Sequence, residues 1–247
     1  GWMYENGKGV KQDYANAIIW YKKAAEQGNA NALLNLGIIY KNGKGIGEDF
    51  TQSFYWYKKV AELGDAKAQL NLGVMYEYGK GVDEDYQQAV YWYKKAAEQG
   101  DTRAQLNLAV MFKFGIGVIE DFSQSVLWYK KAAEQGDTKA QLNLGIIYKY
   151  GKGVAKDYGQ VFYWINKAAE QGSAVAQFNL GVMYEYGKGV EEDYRQAVQW
   201  YKKAAEQSHS DAQTSLGGMY ENGRGVDEDY TEAVYWHKKA AEQGDTR

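Results

Sequence analysis

Seven glycine-rich loops, of which Gly79-Lys80-Gly81 is typical, recur along the chain. Loops of this composition can present backbone N–H groups to a phosphate. However, the sequence contains no Gly-x-x-x-x-Gly-Lys-Ser/Thr motif, and no predicted strand precedes any of these loops. Their repetition instead predicts structural turns in which glycine ends a helix.

The chain lacks the residue patterns from which most catalytic and metal sites are built. His209 and His237 are its two histidines, and each interrupts a repeated pattern once. Neither has the histidine or glutamate spacing of a zinc site, and no Gly-x-Ser-x-Gly element marks a nucleophilic serine. There is no cysteine, which excludes disulfides and thiolate metal ligands. We therefore predict no enzyme activity, no catalytic residue, no metal and no cofactor.

A mixed face of polar, cationic and apolar residues suits binding better than catalysis. Arg103, Asn107 and Val110 are spaced i, i+4 and i+7, and Phe114 continues the same helical stripe. The cations on or beside the stripe in two adjacent repeats are Arg103, Lys113, Lys139 and Lys149. Toward the flanks, glutamate replaces the lysine at Glu77, Glu185 and Glu221. Because clustered cations attract and steer an anionic ligand, we expect an acidic or carboxylate-ended extended segment to bind here.

The elements that position this stripe repeat every 36 residues. Tryptophans mark the period at Trp20, Trp56, Trp92, Trp128, Trp164, Trp200 and Trp236. In repeat 65–100, apolar residues at helical spacing predict a first helix from about Lys67 to Tyr78 and a second from about Tyr86 to Gln99. Asp65 and Asp85 precede these helices at the position of an N-cap. A fixed period of this length, with caps in phase, indicates a stacked array of helix pairs.

Small residues inside the helices indicate close packing. Glycine recurs within the first helix at Gly37, Gly73, Gly145, Gly181 and Gly217. A glycine within a helix costs about 0.5–1 kcal/mol relative to alanine, so its recurrence predicts a close approach by the paired helix. We expect the repeated tryptophans and tyrosines to fill the spaces between these small residues.

Composition supports a folded protein without a strong nucleic-acid or membrane signature. The chain has 247 residues, 45% of them hydrophobic, and a formal net charge of −3. A basic nucleic-acid footprint is absent, and no apolar run reaches the roughly 20 residues that span a bilayer. We predict one domain over 1–247, with a partial repeat at 1–28 and a tail at 245–247. The full repeats are predicted at 29–64, 65–100, 101–136, 137–172, 173–208 and 209–244. Because residue 1 falls inside a repeat, we expect a piece of a longer array or a mature form, and we assign no compartment.

The repeated sequence resembles that of a known family. Leu-Gly-Val-Met-Tyr-Glu-Tyr-Gly-Lys-Gly-Val, then Asp-Tyr, then Ala-Val-Tyr-Trp-Tyr-Lys-Lys-Ala-Ala is similar to the Sel-1-like repeat, a relative of the tetratricopeptide repeat with a longer loop. The resemblance covers essentially the whole chain. It implies an all-α, right-handed superhelical solenoid whose first helices line a concave groove. It also implies a scaffold or adaptor role in protein complexes.

In the tetratricopeptide relatives, the asparagine of this stripe faces the groove and can hydrogen-bond an extended peptide. Here it is present in five repeats, and Ser215 replaces it in the last. The alternative is that this asparagine makes a hydrogen bond between repeats. The predicted groove residues are Asn35, Asn71, Asn107, Asn143, Asn179, Arg103, Lys139, Lys113, Lys149, Phe114, Tyr150, Tyr78, Val110 and Ile146.

Two other classes of function stay open. One is a small-molecule binder or hydrolase similar to β-lactam-associated relatives, although those relatives are marked by cysteines that this chain lacks. The other is a nucleic-acid-binding helical array, whose affinity would fall steeply with salt.

The segment Ser208–Tyr220 is predicted to be the weakest internal part of the array. Ser208 replaces the glycine that ends the preceding helix, and His209 replaces the capping aspartate. Ser210 could take over the cap one residue later. Gly217 and Gly218 then stand together in a helix interior, where the second glycine costs up to about 1 kcal/mol.

Overall fold

A computed structural model describes residues 1–243 of the chain, and within them the structure is all-helical, with fourteen helices and no strand. The helices are α1 Trp2–Asn6, α2 Tyr14–Glu26, α3 Ala30–Asn42, α4 Phe50–Glu62, α5 Ala66–Glu77, α6 Tyr86–Glu98, α7 Thr102–Phe114, α8 Phe122–Glu134, α9 Thr138–Tyr150, α10 Tyr158–Glu170, α11 Ala174–Glu185, α12 Tyr194–Glu206, α13 Ser210–Glu221 and α14 Tyr230–Ala241. This confirms the predicted all-α fold with two helices per repeat. The predicted tail, 245–247, and Gly244 lie outside the described residues.

The chain forms two compact units, Gly1–Trp128 and 129 onward. In the first unit, α3 packs on α4, α5 on α6 and α6 on α7. In the second unit, α9 packs on α10, α11 on α12 and α13 on α14. Each unit therefore repeats one packing scheme, in which a first helix lies against its own second helix and that second helix lies against the next repeat. The organisation of 1–247 as one domain stays a prediction.

Side-chain caps set where the helices begin. An Asp65 carboxylate oxygen accepts the Ala68 N–H at 2.7 Å, and Asp85 accepts the Gln88 N–H at 2.9 Å. These bonds satisfy N–H groups that have no partner within the helix. His209 caps α13 itself, because its Nδ1 accepts the Ala212 N–H at 3.3 Å. The expected shift of this cap to Ser210 is therefore wrong: the imidazole reaches the same N–H that aspartate reaches elsewhere.

In several repeats, the glycine within the first helix is required by an aromatic ring. A Cβ placed on Gly73 would stand 2.6 Å from the ring of Tyr93, and one on Gly181 would stand 2.6 Å from the ring of Tyr201. Both tyrosines are fully buried. The predicted close approach is confirmed, and the group that approaches is the second-helix tyrosine.

The glycine-rich loops pack on the preceding repeat. A Cβ on Gly81 would lie 2.1 Å from the carbonyl oxygen of Phe50, at the start of α4. Gly189 stands in the same relation to Tyr158, also at 2.1 Å. Since no side chain fits there and the φ of Gly81 is +74°, these glycines have a structural role in holding consecutive repeats together.

Most, but not all, of the repeated tryptophans are in the core. Trp92 is 8% exposed and belongs to a buried cluster. The cluster includes Tyr57 from the preceding repeat and Leu72 from the same repeat as Trp92. Trp20 is 49% exposed, so the expectation that every repeated tryptophan fills the core is wrong at this position.

The left-handed turn at Ser208 carries the strain expected from the sequence. Ser208 has φ +64° and is the one non-glycine residue with positive φ among the described residues. Its N–H still donates to the Ala205 carbonyl at 2.9 Å, as Gly172 donates to Ala169 at 3.0 Å. The helix end therefore keeps the glycine geometry without glycine, and L-residues are destabilised in this region by roughly 1–2 kcal/mol.

Replacing Trp92→Ala should lower the free energy of unfolding by about 3–5 kcal/mol, the usual cost of truncating a large buried aromatic side chain. The matched variant Trp20→Ala should cost less than about 1 kcal/mol, because half of that side chain is already in water. Urea denaturation followed by circular dichroism measures both. Equal losses in the two variants would show that the indoles do not differ in burial.

Replacing Ser208→Gly should raise the free energy of unfolding by about 1 kcal/mol, because glycine adopts this backbone conformation without the penalty. Gly172→Ser, the reverse change at an equivalent position with φ +89°, should lower it by a similar amount. Hydrogen exchange of α13 should slow in the first variant. No change in either variant would mean that the turn relaxes at little cost.

Candidate functional site

One position at the end of the first helix is occupied by either glutamate or lysine along the chain. Moving by 36 residues, its occupants are Glu5, Lys41, Glu77, Lys113, Lys149, Glu185 and Glu221. The structure shows that this residue decides how the neighbouring second-helix tyrosine and the stripe asparagine are engaged. The candidate site is built around this difference, and each compact unit contains an example of both types.

Where the position is glutamate, the surface is tied together by hydrogen bonds. In the first unit, the Tyr93 hydroxyl donates to the Glu77 carboxylate, and it is also hydrogen-bonded to the Asn107 side chain of the following repeat. Burial first, and then Glu77, raises the pKa of Tyr93 far above its usual range. The phenol therefore stays protonated and donates this bond throughout the physiological range. Equivalent sets are Glu5, Tyr21 and Asn35, and Glu185, Tyr201 and Ser215.

The stripe asparagines thus take part in bonds between consecutive repeats, which was the alternative to peptide binding. Even Ser215, which interrupts the asparagine series, is hydrogen-bonded to Tyr201. Several also bond within their own helix, since the Nδ2 groups of Asn143 and Asn179 donate to the carbonyl oxygens of Lys139 and Val175, each at 2.9 Å. Their additional role in a groove stays a prediction.

Where the position is Lys41, a cationic pocket forms in the first unit. Lys41 Nζ donates to Asn71 Oδ1 at 3.0 Å, and Asn71 Nδ2 donates to the Lys67 carbonyl at 2.8 Å. Partial burial, followed by the positive charges of Arg103 and Lys80, lowers the pKa of Lys41. We call the space above it the Lys41 pocket; it measures about 310 Å³ and is lined by Lys41, Phe50, Asn71, Val74, Met75, Tyr78 and Lys80.

A related pocket forms beside Lys149 in the second unit. Six of its residues stand three repeats after members of the Lys41 pocket, and it extends further inward beside Ile165. We call it the Ile165 pocket; it measures about 330 Å³ and is lined by Gly145, Ile146, Lys149, Tyr150, Tyr158, Val161, Ile165, Asn179, Val182, Met183 and Lys188.

The structure brings some predicted groove residues together within each unit. Asn71 and Tyr78 share the Lys41 pocket. Ile146, Lys149, Tyr150 and Asn179 share the Ile165 pocket.

The other predicted groove residues lie outside these two pockets. Arg103 and Lys139 are exposed, and Val110 is half-buried. Phe114 is 60% exposed, with the Lys113 ammonium 5.1 Å from its ring centroid. The predicted stripe is therefore accessible, but its parts differ in shape.

Sequence reasoning missed both lysines that line the Lys41 pocket. It also missed Lys188, one of the two lysines that line the Ile165 pocket. Lys80 and Lys188 were assigned only to structural loops, and Lys41 was not separated from other surface charges. It also missed the bond between Tyr93 and Glu77. The signal available in the sequence was the exchange of glutamate for lysine at one repeat position. Its meaning was not evident there, because only the folded structure shows that this position faces the tyrosine.

Within residues 1–243, no group of three or more histidine and acidic side chains is arranged to hold a metal ion. No helix in this part of the chain is both long and apolar enough to cross a membrane.

Comparison with known proteins identifies the repeat. The sequence model of the Sel1 repeat matches seven consecutive segments: 1–29, 30–65, 66–101, 102–137, 138–173, 174–209 and 210–245. No match to this chain was found among curated proteins.

Two solved structures are similar over nearly the whole chain. A protective antigen present in uropathogenic Escherichia coli strains, which displays an SLR fold, is 43% identical, with a TM-score of 0.92 over 98% of this chain and 52% of the antigen. A Sel1 repeat protein from Oxalobacter formigenes is 38% identical, with a TM-score of 0.78 over 99% of this chain and 71% of its own. These comparisons confirm the resemblance and the helical repeat fold. This chain spans about half the length of the antigen.

Removing the tyrosine hydroxyl that donates to the glutamate should lower the stability of the fold. Tyr93→Phe should lower the free energy of unfolding by about 1.5–3 kcal/mol, the range for a hydrogen bond to a charged group, because it removes the buried donor to the Glu77 carboxylate. Tyr57→Phe is the matched control, since Lys41 stands at the glutamate position of that repeat, and it should cost about 1 kcal/mol. Urea denaturation measures both variants. A loss at Tyr57 as large as at Tyr93 would contradict the importance of the carboxylate.

Proposed function

Because the chain belongs to the Sel1 repeat family, whose members are generally protein-interaction scaffolds and typically not enzymes, we propose that it binds an extended acidic segment of a partner protein. Each compact unit carries its own contact region for such a segment, on the face formed by its first helices. In the first unit, this region consists of the Lys41 pocket and Arg103. In the second unit, it consists of Lys139 and the Ile165 pocket.

The single observation that carries the proposal is the unneutralised positive charge around the Lys41 pocket. Lys41, Lys80 and Arg103 are near enough for their repulsion to contribute to the lowered pKa of Lys41. Among the described residues, no carboxylate lies within 4.0 Å of any of these three cations. A carboxylate from a partner would offset this repulsion and favour the charged form of Lys41.

Apolar and polar groups around the cations suit a polypeptide better than a simple anion. Phe50, Val74 and Tyr78 line the pocket beside the lysines, and they can pack against apolar side chains of the segment. The Oδ1 of Asn71 accepts one bond from Lys41 and, as an amide oxygen, can accept a second from a backbone N–H. Alternating acidic and apolar residues would therefore match the surface.

Reversing charge at the pocket should weaken binding. The probe is a short fluorescein-labelled peptide in which aspartate alternates with leucine, and the measurement is fluorescence anisotropy at low and at moderate salt. Lys80→Glu combined with Arg103→Glu should raise the dissociation constant at least tenfold, because two attractive charges become repulsive. In the second unit, Lys139→Glu with Lys149→Glu should act in the same direction when tested separately.

The matched control is Lys58→Glu with Lys94→Glu, two exposed second-helix positions that change the net charge by the same amount. This pair should leave affinity within about twofold, since Coulomb effects between distant surface charges are screened. A peptide with lysine in place of aspartate should not bind the unaltered protein. If both pairs of reversals weaken binding equally, net charge and not this surface attracts the peptide. If the unaltered protein does not bind the aspartate peptide, the proposal fails.

A further inference from the structure

One repeat lacks the ring that fills the space between its helices. The position of Tyr93 is occupied along the chain by Tyr21, Tyr57, Tyr93, Tyr129, Ile165, Tyr201 and His237. Ile165 is thus the one aliphatic residue in a series of rings. It still packs on its glycine, because a Cβ on Gly145 would stand 2.7 Å from Ile165 Cδ1, but it carries neither the outer part of the ring nor the phenol.

Beside Ile165, the pocket reaches further inward than the Lys41 pocket does and ends in an apolar recess. The floor of the Ile165 pocket consists of Val161, Ile165 and Met183, each no more than 6% exposed. Its mouth is formed by side chains that are half exposed, among them Ile146 and Tyr158. At about 330 Å³, the recess lies at the lower end of the 300–1,000 Å³ that is typical of ligand pockets.

The rim of this recess is cationic. Lys149 and Lys188 line it, together with Asn179, and no acidic residue does. The Lys149 ammonium lies 5.5 Å from the ring centroid of Tyr150, and the Lys188 ammonium lies 5.1 Å from that of Tyr186. Within the described residues, neither ammonium has a carboxylate within 4.0 Å. Positive charge therefore surrounds an apolar cavity.

We propose that the Ile165 pocket is a specificity pocket that takes one aromatic side chain of the bound segment, with acidic residues on both sides of that aromatic. This deepens the proposed function and rests on it. A ring fits because the recess lies where other repeats place their own tyrosine ring. Acidic neighbours of that ring would reach Lys149 and Lys188 at the rim. An acidic side chain alone would leave the apolar floor empty, and an apolar side chain alone would leave the lysines unpaired.

The test compares three short peptides with capped ends and a fluorescein label. The first has a central tyrosine with two aspartates on each side, the second has alanine at the centre, and the third has lysines in place of the aspartates. The unaltered protein should bind the tyrosine peptide at least tenfold more tightly than either of the others. Equal affinity for the tyrosine and alanine peptides would overturn the assignment of the pocket.

Refilling the recess should abolish this preference. Ile165→Tyr places a ring opposite Gly145, as Tyr201 stands opposite Gly181, so the variant should fold with its stability maintained. It should bind the tyrosine and alanine peptides with equal affinity. Ile19→Trp, which adds a ring at a half-exposed position outside both pockets, is the control and should retain the preference. Should Ile165→Tyr fail to fold by circular dichroism, Ile146→Trp, at a half-exposed position of the mouth, blocks the same recess and should remove the preference as well.

The outcomes separate this inference from the proposed function. If the aspartate–leucine peptide binds and is sensitive to the Lys80 and Arg103 reversals, the binding surface stands whatever the Ile165 variants do. If the tyrosine preference then survives Ile165→Tyr or Ile146→Trp, the ring binds elsewhere and the pocket assignment is wrong. If free N-acetyltyrosine amide competes as well as the tyrosine peptide, the acidic flanks contribute nothing, which also overturns the proposal.

Discussion

The close contact between a small first-helix residue, glycine in most repeats, and the second-helix residue opposite it is the constraint on which the packing of a repeat depends. With Gly73 against Tyr93, the two helices approach so closely that even a methyl group would overlap the ring. The ring is then fully buried. Its hydroxyl lies at the end of the first helix and donates a hydrogen bond to the Glu77 carboxylate. Glycine lowers helix propensity here, but the close packing that it permits buries a large aromatic surface, which is the larger effect.

This contact links the core of the protein to the first-helix face that we propose binds a partner. Where the receiving residue is Glu77, the phenol, the carboxylate and Asn107 form a closed polar set that spans consecutive repeats. Where it is Lys41, the lysine bonds Asn71 instead, and positive charge is left at the surface. A single substitution per repeat therefore changes the character of the face without changing the helices. Binding specificity can vary in this way while the packing below it stays the same.

The titratable groups of the first-helix face already have structural roles or lie exposed. They are engaged in caps, in bonds between repeats, or as exposed cations, and a buried phenol such as that of Tyr93 is held in its protonated form. Solenoid repeats contribute to stability through their own packing and through their interfaces with neighbours, so local departures such as Ser208 and Ile165 are tolerated. At Ser208 the departure costs backbone strain. At Ile165 it opens a recess.

The sequence by itself determined the helical period, the caps and the small residues that must lie between helices. These features are local, because a cap such as Asp65 bonds an N–H three residues away and an apolar stripe follows from helical spacing. It also identified the stripe that carries Asn71, Lys149 and Tyr150. It could not determine that Trp20 is half exposed while Trp92 is buried, because burial depends on packing between helices and not on the repeat position.

Only the tertiary structure decided which side chains meet across helices. Tyr93 reaches Glu77 at a separation of 16 residues, and Lys41 reaches Asn71 at a separation of 30. Such pairs depend on the crossing of two helices and on the stacking of the next repeat, and a linear pattern carries neither. For the same reason, Ile165 read in sequence is a conservative apolar substitution. In the folded chain, Ile165 stands where most other repeats place an aromatic ring, and the space of that ring is left open.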